Sequence, residues 1–366
     1  MLRLALIGDL HLDERSPRYR HVLEVLDWTL ADAVAAGARS IVFLGDLCEG
    51  APTPRVYADL LQRLMNLEGM TVGLVLGNHE HYEALAPLDE ISPRFVTAWS
   101  CVEHLDFDEA HLVLIPYARR GRPPFHGLAD DGTIAGSMAA TARAVGDVVQ
   151  SYRGKAAAAG VPLLVAGHFT IESMKVGNAE FELHHATEVV VPRSAFDGVA
   201  LAAVGHVHSP QDVAPHIIGV GSLIRHSFTE CEDVKSYTLV TVDQGQVTWE
   251  RRVVPCRAMR QLATRWPTVP MTDAVIDHVR GAEVKLTVEI PEDQLATFDA
   301  SVFDPVREAA AYFVLNKVTL PVQRTRAPEI AQAATLGDQV AAWLEATGQG
   351  AASEGLRAKV AEIDTV

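Results

Sequence analysis

Cysteine is scarce: the 366 residues hold Cys48, Cys101, Cys231 and Cys256, none in a CxxC pair. That spacing offers neither a zinc knuckle nor a disulfide framework, and the thiols read as buried or idle. Long apolar runs are missing as well; none approaches the roughly 20 residues of a bilayer-spanning helix. The N-terminus passes straight into a charged strand and loop without a signal-peptide pattern. A soluble, cytoplasmic protein with no membrane partner is the expectation. The chain has no G-x-x-x-x-G-K-[ST] phosphate loop, so any ATP-driven step has to come from another protein. Basic charge is also short, with 31 Lys and Arg against 47 Asp and Glu and a net charge of −16. This works against a protein that grips nucleic acid by surface charge alone.

What is present recurs. The stretch "LAAVGHVHSPQ" at 201–211 ends an apolar run in Gly205, His206 and His208, and a lone pair of this kind reads as two satisfied strand-end histidines. Four other runs end the same way: "LALIGDLH" in Asp9 and His11, "IVFLGD" in Asp46, "GLVLGNHE" in Asn78 and His79, and "LLVAGH" in His168. Each is an apolar strand, then a glycine, then a residue able to hold a metal. Carboxyl ends of parallel strands open on one crevice in α/β proteins, so the five ends can converge.

The intervening chain alternates accordingly. Residues 19–36, 54–67 and about 136–159 carry apolar residues at helical spacing, giving strand and helix in turn and a sheet covered by helices. After residue 210 short β-rich runs separated by turn residues predict hairpins, with "SYTLVTVD" and "QVTWERRVV" flanking Asp243, Gln244 and Gly245. From about 255, "AEVKLTVEIPEDQL" and "NKVTLPVQR" flank a helical "DPVREAAAYFVL", which outlines a small α+β domain. Beyond Pro328 an Ala-rich tail carries an imperfect helical stripe of Ile330, Ala334, Val340, Trp343 and Leu344. The expected organisation is 1–253 catalytic, 254–326 capping and 327–366 helical tail, the tail packing on its own domain or docking a partner.

Asp9, His11, Asp46, Asn78, His168, His206 and His208 supply carboxylate, amide and imidazole donors without thiolate. Such a set suits manganese, iron or zinc better than calcium. Seven donors exceed one tetrahedral site, which implies two metals with a shared carboxylate. Two metals roughly 3.5–4 Å apart are the recurrent clamp of phosphoryl hydrolysis.

The ordered motifs Asp9-x-His11, Gly45-Asp46, Gly77-Asn78-His79-Glu80, Gly167-His168 and Gly205-His206-x-His208 resemble those of the calcineurin-like metallophosphoesterases. The resemblance implies an α/β, four-layer αββα fold with a two-sheet core flanked by helices. It implies that Asp9, His11, Asp46 and His208 hold one metal and Asp46, Asn78, His168 and His206 the other, with Asp46 bridging. It further implies that His79 contacts the scissile phosphate as a catalytic residue, alongside Asp46.

Within that superfamily "LIPYARR", "VPRSAFDGVALAAVGHVHSPQ" and "GSLIRHSFTECEDVKSYTLVTVD" resemble the SbcD-type nucleases of DNA double-strand-break repair, over about residues 1–253. This implies a manganese-dependent exonuclease and single-strand endonuclease for DNA repair or recombination, iron(II) or zinc being alternative ions. Its implied partners are DNA, a second copy in a homodimer and an SbcC-type coiled-coil ATPase docked on the C-terminal helices. Arg119, Arg120, Arg122 and Arg225 are candidates for a local basic patch, Arg119 and Arg225 for substrate contact. Two departures stand out: Glu49 where some relatives carry a histidine, and His81-Tyr82 in place of a small pair. His81, His184, His185 and His226 are weighed as substrate contacts or as ordinary histidines outside the site. The competing readings are a phosphoesterase of cyclic nucleotides, nucleotides or phosphoproteins, and a non-catalytic scaffold, which the intact donor set disfavours.

Overall fold

The computed structural model describes residues 1–80, 87–119, 121, 123–175, 188–269, 272–321, 330, 332–346 and 353–363. In β1 (Leu2–Ile7), Leu2, Leu4 and Leu6 alternate with Ala5 and Ile7, and all five are buried. Alternate strand residues face opposite sides, so a strand apolar at both parities belongs inside a layered structure. It pairs in parallel with β2 (Ser40–Phe43) and antiparallel with β13 (Ser236–Asp243). The full sheet runs β14 (Gln246–Val253), β13, β1, β2, β3 (Thr71–Val75), β4 (Phe95–Ala98). A second sheet runs β11 (Gln211–Ala214), β12 (Ile217–Gly219), β10 (Leu201–Gly205), β7 (Leu163–His168), β6 (His111–Ile115), β5 (Glu103–Asp106).

Three apolar layers follow from that alternation. Leu4, Val42, Leu114, Ala166 and Ala203 fill the space between the sheets. On the outer side of the first sheet, Ala5, Ile41 and Val72 pack on α1 (Tyr19–Ala35) and α2 (Pro54–Met65) through Val22, Leu26, Val56 and Leu60. After the short α3 (Pro87–Ile91), α4 (Ile134–Ala159) covers the second sheet, with Val145 and Val149 against Val113, Val165 and Val204. The result is the expected αββα layering. Helix starts are set locally: Thr53 and Thr133 side chains accept from the backbone N–H groups of Val56 and Gly136, three residues on. Gln244 and Gly245, both at positive φ (49° and 78°), make the tight turn joining β13 to β14.

One expectation is corrected. The helix foreseen across "DPVREAAAYFVL" spans only Asp304–Ala309, and β17 (Tyr312–Leu320) replaces its second half. The aromatic and β-branched residues of that half enter a three-stranded sheet, β15 (Met259–Arg265), β16 (Glu283–Pro291), β17, where ladder hydrogen bonds and packing override helical spacing.

The chain divides into two compact units. The first comprises Met1–Leu262, Met271–Lys285 and Pro305–Val314; it holds both large sheets and a small cluster of Val279, Ala282, Val284 and Val306. Arg18 ties α1 to Glu283 within it at 2.6 Å. The second comprises Ala263–Pro270, Leu286–Asp304 and Leu315–Val366. In it Trp266 meets Phe298 edge to face, and helices Leu336–Ala346 and Ser353–Ile363 pack together. Among the described residues no helix is long and apolar enough to cross a membrane.

Candidate metal centre

Five strands deliver the site: β1, β2 and β3 from one sheet, β7 and β10 from the other. Where β1, β2 and β10 end the backbone turns sharply. Of the six non-glycine residues with positive φ among those described, four are Asp9 (46°), His11 (47°), Asp46 (49°) and His206 (86°). Such conformations cost on the order of 1–3 kcal/mol each and persist where surrounding structure imposes them. The preceding glycines have a steric reason. A Cβ on Gly45 would run into the His168 ring, and one on Gly77 into the Asp46 carboxylate.

The two aspartates are held alike. Asp9 Oδ1 accepts from the His206 backbone N–H (2.9 Å) and Asp46 Oδ1 from that of His79 (3.0 Å). Each therefore points its other oxygen into the crevice. Asp46 Oδ2 lies 3.2 Å from His168 Nε2 and 3.7 Å from His11 Nε2, so one atom reaches both halves of the site. Asp9 Oδ2 is buried without a hydrogen-bond partner.

Each histidine has one ring nitrogen engaged on its outer side. His168 Nδ1 donates to the Leu44 carbonyl at 2.6 Å, which can only accept. Nδ1 of His11 lies 2.7 Å from Glu49 Oε2, and Nδ1 of His208 lies 3.1 Å from Glu230 Oε1. His206 Nε2 meets Glu188, which also accepts from the Thr170 hydroxyl at 2.6 Å. The inward nitrogens face other acceptors. His11 Nε2 and His208 Nε2 stand 3.0 Å apart, while Asn78 Oδ1 lies 2.9 Å from His168 Nε2 and 2.8 Å from His206 Nδ1.

Lone pairs aimed at one another, and a buried carboxylate oxygen with no donor, are stable only around positive charge. Three donor groups lie among the described residues: Asp9, His11 and His208; Asp46, His168 and His206; and, nearer the surface, His11, Glu49 and His79. The first two are the more buried. Asn78 extends the second group and Asp46 touches both, so the residues present fit two divalent ions. Burial opposes charge on both Asp46 and His168, yet each overcomes it through the other: Asp46 is held far below the carboxylate range and His168 is pushed up to about 9.

His79 sits at the mouth with its side chain 39% exposed, its Nδ1 2.8 Å from Glu49 Oε1. The other Glu49 oxygen takes His11, and those hydrogen bonds bring its carboxyl down to about 2 despite partial burial.

The structure separates the candidate arginines. Arg119 is exposed two residues past Tyr117, whose ring lies 5.9 Å from that of His168 and 5.6 Å from that of His206. Arg225 departs from its expected substrate role: its guanidinium donates to the carbonyls of Glu230 (3.1 Å) and Arg257 (2.8 Å) and to that of Asp233. It braces the chain after β12. His226 donates Nε2–H to the Asp9 carbonyl at 3.1 Å, and burial holds its pKa well below that of a free imidazole. Arg120, Arg122, His81, Tyr82, His184 and His185 lie outside the described residues.

Four contributors were not among the candidate site residues: Tyr117, Glu188, Glu230 and Glu80, although Glu80 closes the Gly77-Asn78-His79-Glu80 motif. Glu80 accepts from the backbone N–H groups of Gly77 (2.6 Å), Asp46 (3.2 Å), Cys48 (3.2 Å) and Leu47, stitching the end of β3 to that of β2. Burial and the Asp46 charge push its carboxyl up to about 8 against those four donors.

Residues 2–210 match the sequence profile of the calcineurin-like phosphoesterases. Solved structures similar to this one include a dimetal phosphatase from Danio rerio, 10% identical with a TM-score of 0.45, covering 69% of this chain and 96% of that chain. Another is an archaeal phosphodiesterase, 8% identical with a TM-score of 0.34, covering 69% of this chain and all (100%) of that one. The profile match takes in more than half of the sequence, from β1 to just past His208, and on that ground the chain belongs to the calcineurin-like phosphoesterase family.

Proposed function

We propose that this phosphoesterase hydrolyses phosphodiesters of DNA with two manganese ions, as a nuclease subunit that works with a coiled-coil ATPase and as a homodimer. The observation that carries diester hydrolysis is the Glu49–His79 pair at the mouth of the donor cluster, 2.8 Å across. A divalent metal pair bound in such a site activates a water and stabilises the attacking and leaving oxygens. His79, held at Nδ1 by Glu49, keeps Nε2 for a substrate oxygen. An imidazole placed there can hand a proton to a departing alkoxide. A diester leaving group needs that proton. The choice of DNA is supported by the sequence resemblance through "GSLIRHSFTECEDVK". The supply of ATP by a partner is supported by the missing phosphate loop.

A second reading, hydrolysis of cyclic or mononucleotides, is favoured by the net charge of −16 and by Arg225 being occupied within the fold. One experiment separates them. With Mn2+, linear DNA should be degraded while cyclic nucleotides are not; His79→Ala should lower DNA turnover by about 10²–10⁴-fold with both ions retained. Turnover of cyclic nucleotides with no action on DNA, alone or with a coiled-coil ATPase, would overturn the nuclease reading.

A further inference from the structure

The region behind His208 contains a group that the hydrolytic step does not use. Lys235 is only 1% exposed, among the largest fully buried side chains. Its Nζ lies 2.7 Å from Glu230 Oε2, 3.1 Å from Asp233 Oδ2, 2.9 Å from the His208 carbonyl and 3.0 Å from Ser222 Oγ. A buried ammonium is costly unless fully engaged, and these four acceptors more than occupy its three protons.

We propose that Lys235 and Glu230 are a positioning pair for His208, setting how tightly the metal shared by Asp9, His11 and His208 is held. Lys235 fixes His208 twice. It binds the main-chain carbonyl directly, and it anchors the carboxylate whose other oxygen accepts from the ring Nδ1 at 3.1 Å. Glu230 Oε2 also accepts from the His226 N–H at 3.3 Å, so the carboxylate is anchored from two directions. With Nδ1 carrying the proton, the Nε2 lone pair is directed at His11 and the metal position. A partner of this kind commonly changes metal affinity by about 10- to 100-fold. The other ion would be held through His168 and His206, whose outer partners are Leu44 and Glu188. The pair should therefore act on one ion of the two.

The inference rests on the two-metal reading of the site. Its test is calorimetric titration of the full metal-free chain with Mn2+, with thermal unfolding of the metal-free protein alongside. Glu230→Gln, which keeps shape and loses charge, should weaken one ion by about 10- to 100-fold and leave the other unchanged. Lys235→Met should do the same. The double variant removes the Lys235–Glu230 charge pair as a whole, leaves Asp233 with the Ser209 hydroxyl at 2.8 Å, and should lose less than the sum of the two single losses because both residues act in part through one contact on His208 Nδ1. If Lys235→Met does not fold, the double variant decides. Unchanged affinities, equal loss of both ions, or additive losses in the double variant would overturn the role of the pair. A wild-type chain that binds no Mn2+ at all would instead overturn the two-metal reading.

Discussion

His21 shows how burial sets a side chain's charge away from the site. It is 4% exposed, its Nε2 accepts from the Arg257 backbone N–H at 3.0 Å, and burial followed by the Arg257 charge lowers its pKa to about 4. The sign follows from linkage: above pH 6.5 the ring is neutral folded or unfolded, and its contribution is complete. As pH falls from 6.5 towards 4 the unfolded chain takes up a proton that the folded chain refuses, so stability declines by roughly 3 kcal/mol over that window. His21→Gln, which keeps an acceptor, should flatten the pH dependence of the unfolding free energy between pH 4 and 6.5. Parallel curves for the two proteins would show that His21 does not carry it. Glu49 illustrates the opposite case, a half-exposed carboxylate whose charge is secured by two imidazoles and which links His11, a candidate metal ligand, to the group proposed to meet substrate, His79.

The strand ends act as units. At β3, Gly77 makes room for Asp46 and donates its N–H to Glu80, which reaches back to the backbone after β2. Gly77→Ala places a methyl group where the Asp46 carboxylate sits, so the carboxylate must leave the crevice or the strand end must shift. The expected result is a loss of metal binding together with a destabilisation of about 2 kcal/mol or more, the range of overpacked buried sites. Denaturant unfolding and a Mn2+ titration on the same sample check both. Wild-type affinity in Gly77→Ala would mean that this packing does not hold Asp46 in place. The capped starts of α2 and α4 and the two-residue turn of the β13–β14 hairpin needed only neighbouring residues, and they fall where the sequence pattern put them.

For the whole molecule the candidate metal centre is a bridge between sheets. Asp9, His11, Asp46 and Asn78 follow strands of the first sheet, and His168, His206 and His208 follow strands of the second. Ions bound between them should stabilise the folded state over the unfolded one by mass action, by about 2.7 kcal/mol when free metal is 100 times the dissociation constant. Chelation should lower the melting temperature of the wild type, and Asp46→Asn should remove most of that difference. A melting temperature indifferent to EDTA would argue that the sheets close without help from the site.

The sequence by itself determined the five apolar strands that end in glycine and a donor, the helices between the first of them, and the donor types. Those features are local: strand parity, helical spacing and backbone conformation depend on neighbours a few residues away. The tertiary structure decided which nitrogen of each histidine faces inward, because the deciding partners lie elsewhere in the chain; His168 Nδ1 and the Leu44 carbonyl are 124 residues apart. It also decided that Arg225 braces the main chain, that Glu188, Glu230 and Lys235 stand behind the ligands, and that residues 312–320 form a strand. Hydrogen-bond direction and ladder pairing are properties of groups brought together by folding, and no spacing along the chain encodes them.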